Sequence, residues 1–312
     1  MADVYDYVLC GAHVRSCIEL PGLWVHRGPV GAPDIEMRYG RIDADALLER
    51  PGSAPVNVVA GVVTLAARGV ATYRAQGGSR VEMEVEEGAR REDVLLYLMG
   101  SMLGTIWHQR GVLPLHGSAV RVGDGCAVFC GPSGAGKSTL AGILARRGWD
   151  LVADDVSVIT AMASGRLVVW PGPARLKLDQ PTLDALDVEG TGLAPAGGTR
   201  GKFHFPVSGE QRALPLERVY LIEDGAGAPR LVPVTGLDAV DAVHAQIYCA
   251  DLARGLGLHA QVFHWTVRIA RETSIRRLVR PSDRAALASI AELLESEWGQ
   301  AVATAETERG SE

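Results

Sequence analysis

The sequence feature that most constrains this chain is the stretch GPSGAGKST at residues 131–139. It fits the pattern G-x-x-x-x-G-K-[ST]. Glycines let such a loop turn its backbone N–H groups inward, toward the phosphates of a nucleotide. The apolar residues 126–130 predict a buried strand before the loop, and residues 138–147 predict a helix after it. The positive end of that helix would lie under the phosphates. Together these features predict a phosphate-binding loop.

The residue types in this loop indicate what each would do. Lys137 would carry its ammonium to the outer phosphates, and the Ser138 hydroxyl would hold Mg²⁺. We predict that the whole loop binds the nucleotide, that is, Gly131, Pro132, Ser133, Gly134, Ala135, Gly136, Lys137, Ser138 and Thr139.

Length and composition limit the class of protein. A chain of 312 residues holds one large domain or two modest ones. No apolar run approaches the ~20 residues that span a bilayer. The acidic start MADVYDYV lacks the basic region of a signal peptide. The formal charge of −6 argues against a general nucleic-acid binder. We therefore expect no membrane and no nucleic-acid partner.

The five cysteines at positions 10, 17, 126, 130 and 249 are scattered and odd in number. No second Cys or His pair gives zinc spacing with Cys126 and Cys130. Reduced thiols in a cytoplasmic protein are the expected state.

A short connection before the loop determines the topology of the sheet. Residues 115–122 predict a strand, residues 123–125 (Gly-Asp-Gly) a tight turn, and the strand into the loop follows at once. A parallel crossover needs a dozen residues or more, so these two strands must be antiparallel. In the usual phosphate-loop folds, a helix connects the preceding strand to the strand before the loop, and the two strands run parallel. The sequence thus predicts an α/β fold with α+β character, in which a β-hairpin feeds the phosphate loop of a mixed sheet.

An acidic pair, Asp154 and Asp155, ends a short predicted strand at residues 150–153. Mg²⁺ is usually held by a carboxylate at this place beside a phosphate loop. Adjacent carboxylates seldom serve stability, because each must be solvated or paired. A helix cap or a turn is the alternative interpretation.

The chain before the loop predicts a β-rich region at 1–90 with no catalytic constellation. Strand-like stretches occur at 4–9, 35–39 and 58–65, and a hairpin at 70–75 and 80–85. Residues 91–110 carry apolar side chains at i, i+3, i+4 and i+7, which predicts a helix linking the two regions. The nucleotide-binding core would then cover 91–235.

The chain after the acidic pair predicts a further hairpin at 156–160 and 166–170 and strands at 203–207 and 219–222. The Gly/Pro/Thr-rich loop 189–201 with the basic residues Arg200 and Lys202 suggests a lid over the nucleotide, and a disordered surface loop is the alternative.

The C-terminal region, 236–299, is predicted to be helical, with amphipathic stretches at 237–254 and 283–298, and residues 300–312 are expected to be disordered. The arginine-rich segment 268–284 suggests a receptor for an acidic peptide or a phosphoryl group, or simply a solvated helix face. It contains Arg268, Arg271, Arg276, Arg277, Arg280 and Arg284.

Three stretches together resemble the HPr kinase/phosphorylase family, whose fold is similar to that of phosphoenolpyruvate carboxykinase. They are residues 116–120 (HGSAV), the loop 131–139, and residues 151–155 (LVADD). The intervals between His116, Lys137 and Asp155 agree with the family's arrangement. The resemblance covers about residues 110–222.

This resemblance implies roles for the site residues. Asp155 would be the general base for a substrate hydroxyl, and His116 would orient it near the γ-phosphate of ATP. Lys137 would neutralise phosphate charge, and Ser138 with Asp154 would hold Mg²⁺. The oligomeric state stays open, with a homo-oligomer as one possibility.

The chain departs from that family after the acidic pair. The family's signature E-[IV]-R-G-[LM]-G-[IL] is replaced by WPGPARLKL at 170–178, which puts in doubt an acidic metal ligand and the reverse, phosphorylase activity. A short β-rich start, HGSAV, GPSGAGKST and a basic segment before a terminal helix are similar to the HPr-kinase-like proteins of lasso-peptide clusters. That resemblance implies a serine kinase with a precursor peptide as its partner.

Two alternatives stay open: a serine kinase of the HPr protein itself, and a nucleotide-binding regulator without transferase activity. A GTPase switch is disfavoured, because its N-K-x-D motif is missing and the only asparagine is Asn57. A kinase of the adenylate-kinase sort would use a parallel sheet, which the hairpin contradicts.

Overall fold

The structure is a computed structural model. It describes residues 3–29, 31–43, 48–50, 53–188, 192–198, 201–281, 283 and 286–309. These residues form a mixed α/β fold with two large sheets. The first sheet is built from β1 (Tyr5–Leu9), β2 (Ala12–Ser16), β3 (Trp24–Val25), β4 (Ile35–Tyr39), β5 (Leu48–Arg50), β6 (Ser53–Val59), β7 (Val62–Ala67), β8 (Ala71–Gln76) and β9 (Arg80–Val85).

This N-terminal sheet has the strand order β3-β1-β2-β4-β9-β8-β7-β6-β5. The predicted hairpin is present, since β8 pairs with β9 in antiparallel register. The stretch 58–65, which we predicted as one strand, instead contains the end of β6, a two-residue turn and the start of β7. Ala60 and Gly61 both adopt positive φ, which makes the tight turn. Alanine rarely takes that conformation, so the sequence carried only half of the usual turn signal.

A continuous helical segment covers the buried face of this sheet. It comprises α1 (Arg91–Tyr97), a π-helical turn (Leu98–Met102) and α2 (Leu103–Gln109). The helix predicted at 91–110 is thus present, with one irregular turn. Leu98, Met102 and Ile106 are fully buried in one core with the strands. The apolar stripe is therefore core, as its period indicates.

The second sheet carries the phosphate loop. Its strands are β10 (Leu113–Leu115), β11 (Gly117–Val122), β12 (Gly125–Cys130), β13 (Leu151–Ala153), β14 (Ser157–Ala161), β15 (Leu167–Trp170), β18 (Leu214–Asp224), β19 (Arg230–Pro233) and β20 (Ser274–Arg280), and a separate pair consists of β16 (Arg175–Asp179) and β17 (Lys202–Pro206). The sheet order is β10-β14-β15-β18-β12-β11-β13, with β20 joining β18 to β19.

The hairpin before the phosphate loop is as predicted. β11 and β12 are antiparallel and joined by a short turn, whereas β12 and β18 run parallel, so the sheet is mixed. The single strand that we predicted at 115–122 is divided at His116. β10 pairs with β14 and β11 pairs with β12 and β13, so the chain changes partners at this residue. The predicted hairpin of β14 and β15 is also present.

Both faces of β12 are covered, which is why its whole sequence is apolar. Cys126, Val128 and Cys130 point into one core, and Ala127 and Phe129 point into the other. The helices that cover the sheet are α3 (Lys137–Arg146), α4 (Gln180–Ala185), α5 (Gly236–His244), α6 (Ala250–Gly255), α7 (His259–Glu272) and α8 (Leu287–Arg309).

The C-terminal region differs from the helical prediction in three places. The stretch predicted at 237–254 is divided into α5 and α6, which are separated by residues 245–249. Residues 274–280, inside the arginine-rich segment, form β20, which is parallel to β18. Its alternation of apolar and basic residues is that of a strand, and we missed it because helices flank it. Helix α8 continues to Arg309, where we expected a disordered tail from residue 300, and residues 310–312 lie outside the described part.

Within the described residues, no helix combines the length and apolar character that crossing a membrane requires. All five cysteines are free thiols.

We expect Trp298→Ala to destabilise the fold more than most substitutions. Trp298 is fully buried on α8, donates its indole N–H to the Tyr220 hydroxyl over 2.9 Å, and meets Trp149 edge to face. Removal of a buried tryptophan costs about 3–5 kcal/mol. Urea unfolding measures the change, with Leu237→Ala, whose side chain is 82% exposed, as the control expected to lose under ~0.5 kcal/mol. Equal losses in both variants would contradict the packing described for α8.

Candidate active site

The phosphate loop joins β12 to α3 in a conformation that only certain residues permit. Gly136 caps α3 with a φ of 83°, and a β-carbon there would lie 3.0 Å from Nη2 of Arg280. Any side chain at this position is therefore strained and crowded. The loop is thus held by its glycine and by a neighbouring strand, because Arg280 lies at the end of β20.

Lys137 is the first residue of α3 and is 6% exposed. Its ammonium donates hydrogen bonds to the carbonyl oxygens of Gly131 (2.8 Å) and Pro132 (2.9 Å). Burial lowers the pKa of Lys137, and the carboxylates of Asp154 and Asp155 partly oppose this. The cation is therefore retained inside its own loop, at the place where phosphate oxygens would bind.

Asp154 connects the loop to the neighbouring strands. Its Oδ1 accepts hydrogen bonds from the hydroxyls of Ser118 (2.6 Å) and Ser138 (2.8 Å). Its Oδ2 accepts one from the backbone N–H of Lys177 (2.9 Å). The carboxylate thus points at the first turn of α3.

Asp155 adopts a left-handed conformation, with a φ of 71°. This turns its side chain toward Lys177, whose ammonium lies 2.7 Å from Oδ2. Burial alone would raise the pKa of Asp155, but Lys177, with help from His116 and Lys202, lowers it below the usual range. Asp155 is therefore a carboxylate at neutral pH.

His116 stands at the division between β10 and β11. Its Nδ1 lies 3.0 Å from the carbonyl oxygen of Asp155 and 3.6 Å from Oδ1 of the same residue. Because a carbonyl oxygen only accepts, the first contact places a proton on Nδ1. Burial, together with the charge of Lys137, lowers the pKa of His116, so the imidazole is neutral at pH 7.

All of these ionisable side chains except Asp154 line one open cavity of about 720 Å³, and Asp154 lines a smaller cavity of about 60 Å³ that shares Asp155 and Lys177 with it. Among the residues that line the large cavity are His116, Lys137, Ser138, Asp155, Lys177 and Lys202. Ser133, Gly134, Gly136 and Thr139 line it too, whereas Gly131, Pro132 and Ala135 line a separate opening on the other side of the loop. Part of the predicted loop therefore faces away from this cavity.

The predicted lid is only partly described. Arg200 and residues 189–191 and 199 lie outside the described residues. In the described part, the Gly198 N–H donates to Asp93 Oδ1 of α1 over 2.7 Å, and Ala196 bonds to the backbone of Lys202. Lys202 itself reaches the cavity from β17.

Sequence reasoning did not predict the contacts that three side chains make at this site. Ser118 bonds Asp154, Lys177 bonds Asp155, and Arg280 donates to the Ala135 carbonyl of the phosphate loop over 2.6 Å. A signal existed for Lys177, because RLKL alternates charged and apolar residues and so places Arg175 and Lys177 on one face of a strand. Nothing in the sequence indicated which surface that face would meet.

The oxygen donors of this site fit a magnesium ion. Ser138 Oγ and Asp154 Oδ1 are hard ligands that lie together beside the phosphate loop. Mg²⁺ binds through one or two protein oxygens, with water and phosphate completing the shell. The described residues contain no group of three or more His, Cys, Asp or Glu side chains arranged for a metal, the set that zinc would prefer.

Comparisons with known proteins give matches among solved structures alone. No protein-family model matches the chain, and no curated protein does. Among solved structures, the chain is similar to the Hpr(Ser) kinase/phosphatase from Coxiella burnetii, with 11% identity over 64% of this chain and 98% of that chain, at a TM-score of 0.35. A likeness at this level assigns no role to any residue.

We expect Lys177→Met to raise the pKa of Asp155. Lys177 supplies the largest charge that lowers this pKa, so burial should dominate in the variant and move the value above that of the wild type. Carbon-13 NMR titration of the Asp155 carboxyl measures both values. Lys202→Gln is the control, with a smaller rise, because Lys202 contributes less. An unchanged pKa in Lys177→Met would show that the ion pair does not form in solution.

Proposed function

We propose that this protein is a Mg-ATP-dependent kinase that transfers the γ-phosphoryl group to a serine hydroxyl of a peptide. The observation that carries the proposal is the shared cavity: the Asp155 carboxylate faces the same space as Lys137 and Ser138 of the phosphate loop. Phosphoryl transfer requires mainly that the protein position the reactants and neutralise charge. The groups in this cavity are of the types that do both.

The donor side is formed by the loop and α3. Its N–H groups and the helix N-terminus attract the phosphates, and Lys137 would exchange its carbonyl partners for phosphate oxygens. Bound Mg²⁺ would neutralise charge that develops on the transferred group. Ser138 and Asp154 are the residues that would hold it.

The acceptor side is formed by Asp155. Lys177 occupies Oδ2, which leaves Oδ1 as the oxygen that receives the proton of an incoming hydroxyl. The hydroxyl oxygen bonds to phosphorus, the bond to the leaving ADP oxygen breaks, and the proton passes to the carboxylate. Neutral His116, through its bond to the Asp155 carbonyl, holds the residue in orientation.

The proposed acceptor is a ribosomally made precursor peptide of the lasso-peptide type. Support comes from the resemblance of residues 116–120 and 131–139 to the kinases of those clusters. An HPr-type protein kinase shares the chemistry and differs in acceptor. A nucleotide-binding regulator would need only the phosphate loop, and it would not require Asp155 as a base.

We expect Asp155→Asn to reduce transfer by roughly 10²–10⁴-fold, because the hydroxyl loses its base, while the nucleotide dissociation constant stays within about twofold. Asparagine tolerates the left-handed conformation of this residue, so the backbone should persist. Labelled ATP with candidate peptides measures transfer, and equilibrium titration measures binding.

Asp187→Asn is the matched control for this experiment. Asp187 is another aspartate in left-handed conformation, with a φ of 51°, and it is exposed. The control should transfer at the rate of the wild type. Persistent transfer in Asp155→Asn would assign the base to another group, and nucleotide binding without transfer by the wild type, across peptide and protein acceptors, would favour the regulator.

We expect Lys137→Ala to weaken nucleotide binding by about tenfold or more and to lower turnover as well, because a charge-assisted bond to phosphate is lost. Titration with ATP in the presence of Mg²⁺ measures the effect. Arg146→Ala, on the exposed last turn of the same helix, is the control that should bind as the wild type does. Equal binding by both variants would remove Lys137 from the nucleotide site.

A further inference from the structure

A second cavity, of about 220 Å³, lies next to the ion pair of Lys177 and Asp155. Helix α1, the described part of the loop at 194–196, and the strands β16 and β17 supply its walls. Arg175, Lys177 and His204 are its basic members in the two strands. A smaller cavity of about 60 Å³ is lined by Arg175, Lys177 and Asp155 together, so the space beside Arg175 continues to the proposed base.

Arg175 has no ionic partner among the described residues. Its side chain is half-buried, yet none of the carboxylates described in the structure lies within ion-pair distance, and its guanidinium donates no hydrogen bond to a described group. Burial lowers the pKa of Arg175 to about 10, so the group remains a cation at neutral pH. Burying a cation without a partner costs desolvation free energy, and a bound anion would offset that cost.

His204 adds a second unsatisfied group to the same cavity. It stands opposite Lys177 in the register of β16 and β17. Its Nδ1 is buried and has no hydrogen-bond partner in the described structure. Burial and the charges of Arg175 and Lys177 lower the pKa of His204 to about 3, so the ring is neutral and one of its nitrogens is a donor.

The charges around this cavity favour a monoanion. Glu92, which also lines this cavity, is paired with Arg90 over 3.6 Å. Lys177 is already paired with Asp155, and His204 is neutral, which leaves the single charge of Arg175 uncompensated. Arg91, at the rim, is paired with Glu19 over 3.0 Å. A planar guanidinium matches a carboxylate in two parallel hydrogen bonds.

The distance along β16 limits where that carboxylate can lie in a substrate. Arg175 and Lys177 are two residues apart on one face of the strand, a separation of about 7 Å. Lys177 in turn touches Asp155. If the acceptor hydroxyl binds at Asp155, a carboxylate in the same residue of the acceptor or in the next one can therefore reach Arg175.

We propose that Arg175 and His204 form a carboxylate-binding subsite of the acceptor, next to the hydroxyl that receives the phosphoryl group. The carboxylate is carried by the acceptor residue itself or by its neighbour. This inference rests on the proposed kinase function for its context, but it concerns a separate group of residues. Arg175 acts as a specificity residue, because it binds the acceptor without touching the reacting atoms.

The test compares small acceptors that carry a carboxylate at different places or lack one. N-acetyl-leucyl-serine, its carboxamide, and N-acetyl-seryl-aspartate α-amide are phosphorylated with labelled ATP, and KM and kcat are determined for each. A charge-assisted pair should lower KM roughly 10- to 100-fold for a carboxylate over the carboxamide. Preference for the first peptide identifies the α-carboxylate, and preference for the third identifies a side-chain carboxylate.

Variants locate the effect on Arg175. In Arg175→Gln the preference should vanish while the KM for ATP is kept, and in Arg175→Lys it should be partly kept. Arg91→Gln is the matched control, since this arginine lines the same cavity but is already paired, and its preference should equal that of the wild type. A preference that persists in Arg175→Gln, or equal KM values for all three acceptors of the wild type, overturns the proposal.

A binding measurement separates this inference from the kinase function. Saturation-transfer NMR compares N-acetyl-leucyl-alanine with its carboxamide, neither of which can be phosphorylated. Selective binding of the free carboxylate that is lost in Arg175→Gln supports the subsite even if no acceptor is phosphorylated, in which case only the kinase function fails. N-acetyl-alanyl-aspartate α-amide and its asparagine counterpart test a side-chain carboxylate in the same way. Equal binding within both pairs of probes to the wild type overturns the subsite.

Discussion

The Asp154 carboxylate is the interaction on which the rest of the site depends. It accepts hydrogen bonds from Ser118 in the hairpin, from Ser138 at the start of α3, and from the backbone of Lys177 in β16. These donors come from three elements that are distant in sequence. Each bond to a charged group contributes about 1.5–3 kcal/mol, and loss of the carboxylate would leave three donors without it. One side chain thus fixes the positions of the hairpin, the phosphate loop and β16 relative to one another.

The position of β16 follows from that contact and divides the site in two. Once the Lys177 N–H is bonded to Asp154, the period of the strand turns the Lys177 and Arg175 side chains to one face. Lys177 then reaches Asp155 and stands between the large cavity of the phosphate loop and the smaller cavity beside Arg175. The ion pair therefore marks the boundary at which a donor phosphate and an acceptor hydroxyl would meet.

What the sequence predicts well is what local chemistry determines. The Gly-Asp-Gly turn, the glycines of the loop and the helical period of residues 91–110 each specify their own structure, and all three are present. The division at His116 arises because β10 and β11 pair with different strands, which no local pattern encodes. For the same reason the sequence predicted the acidic pair but not its contacts with Ser118 and Lys177. The alternation in RLKL places Lys177 on a face of a strand, but only the folded sheet brings these two residues to Asp154 and Asp155.

The contrast between the arginine-rich segment and Arg175 shows why a count of charges does not locate a ligand site. In that segment Arg268, Arg276 and Arg277 pair with Glu272, Glu297 and Glu223. Arg280 donates to the carbonyls of Ala135 and Pro281 and so stabilises the phosphate loop, with Gly136 leaving the room for it. The arginines that are paired with carboxylates have little to offer an incoming anion, because binding would first break an existing ion pair. Arg175 is a single charge in an ordinary strand, and it is the one beside the proposed base whose charge the described residues leave uncompensated. Burial without a partner, rather than abundance of charge, therefore distinguishes a cation available to a ligand from one that holds the fold together.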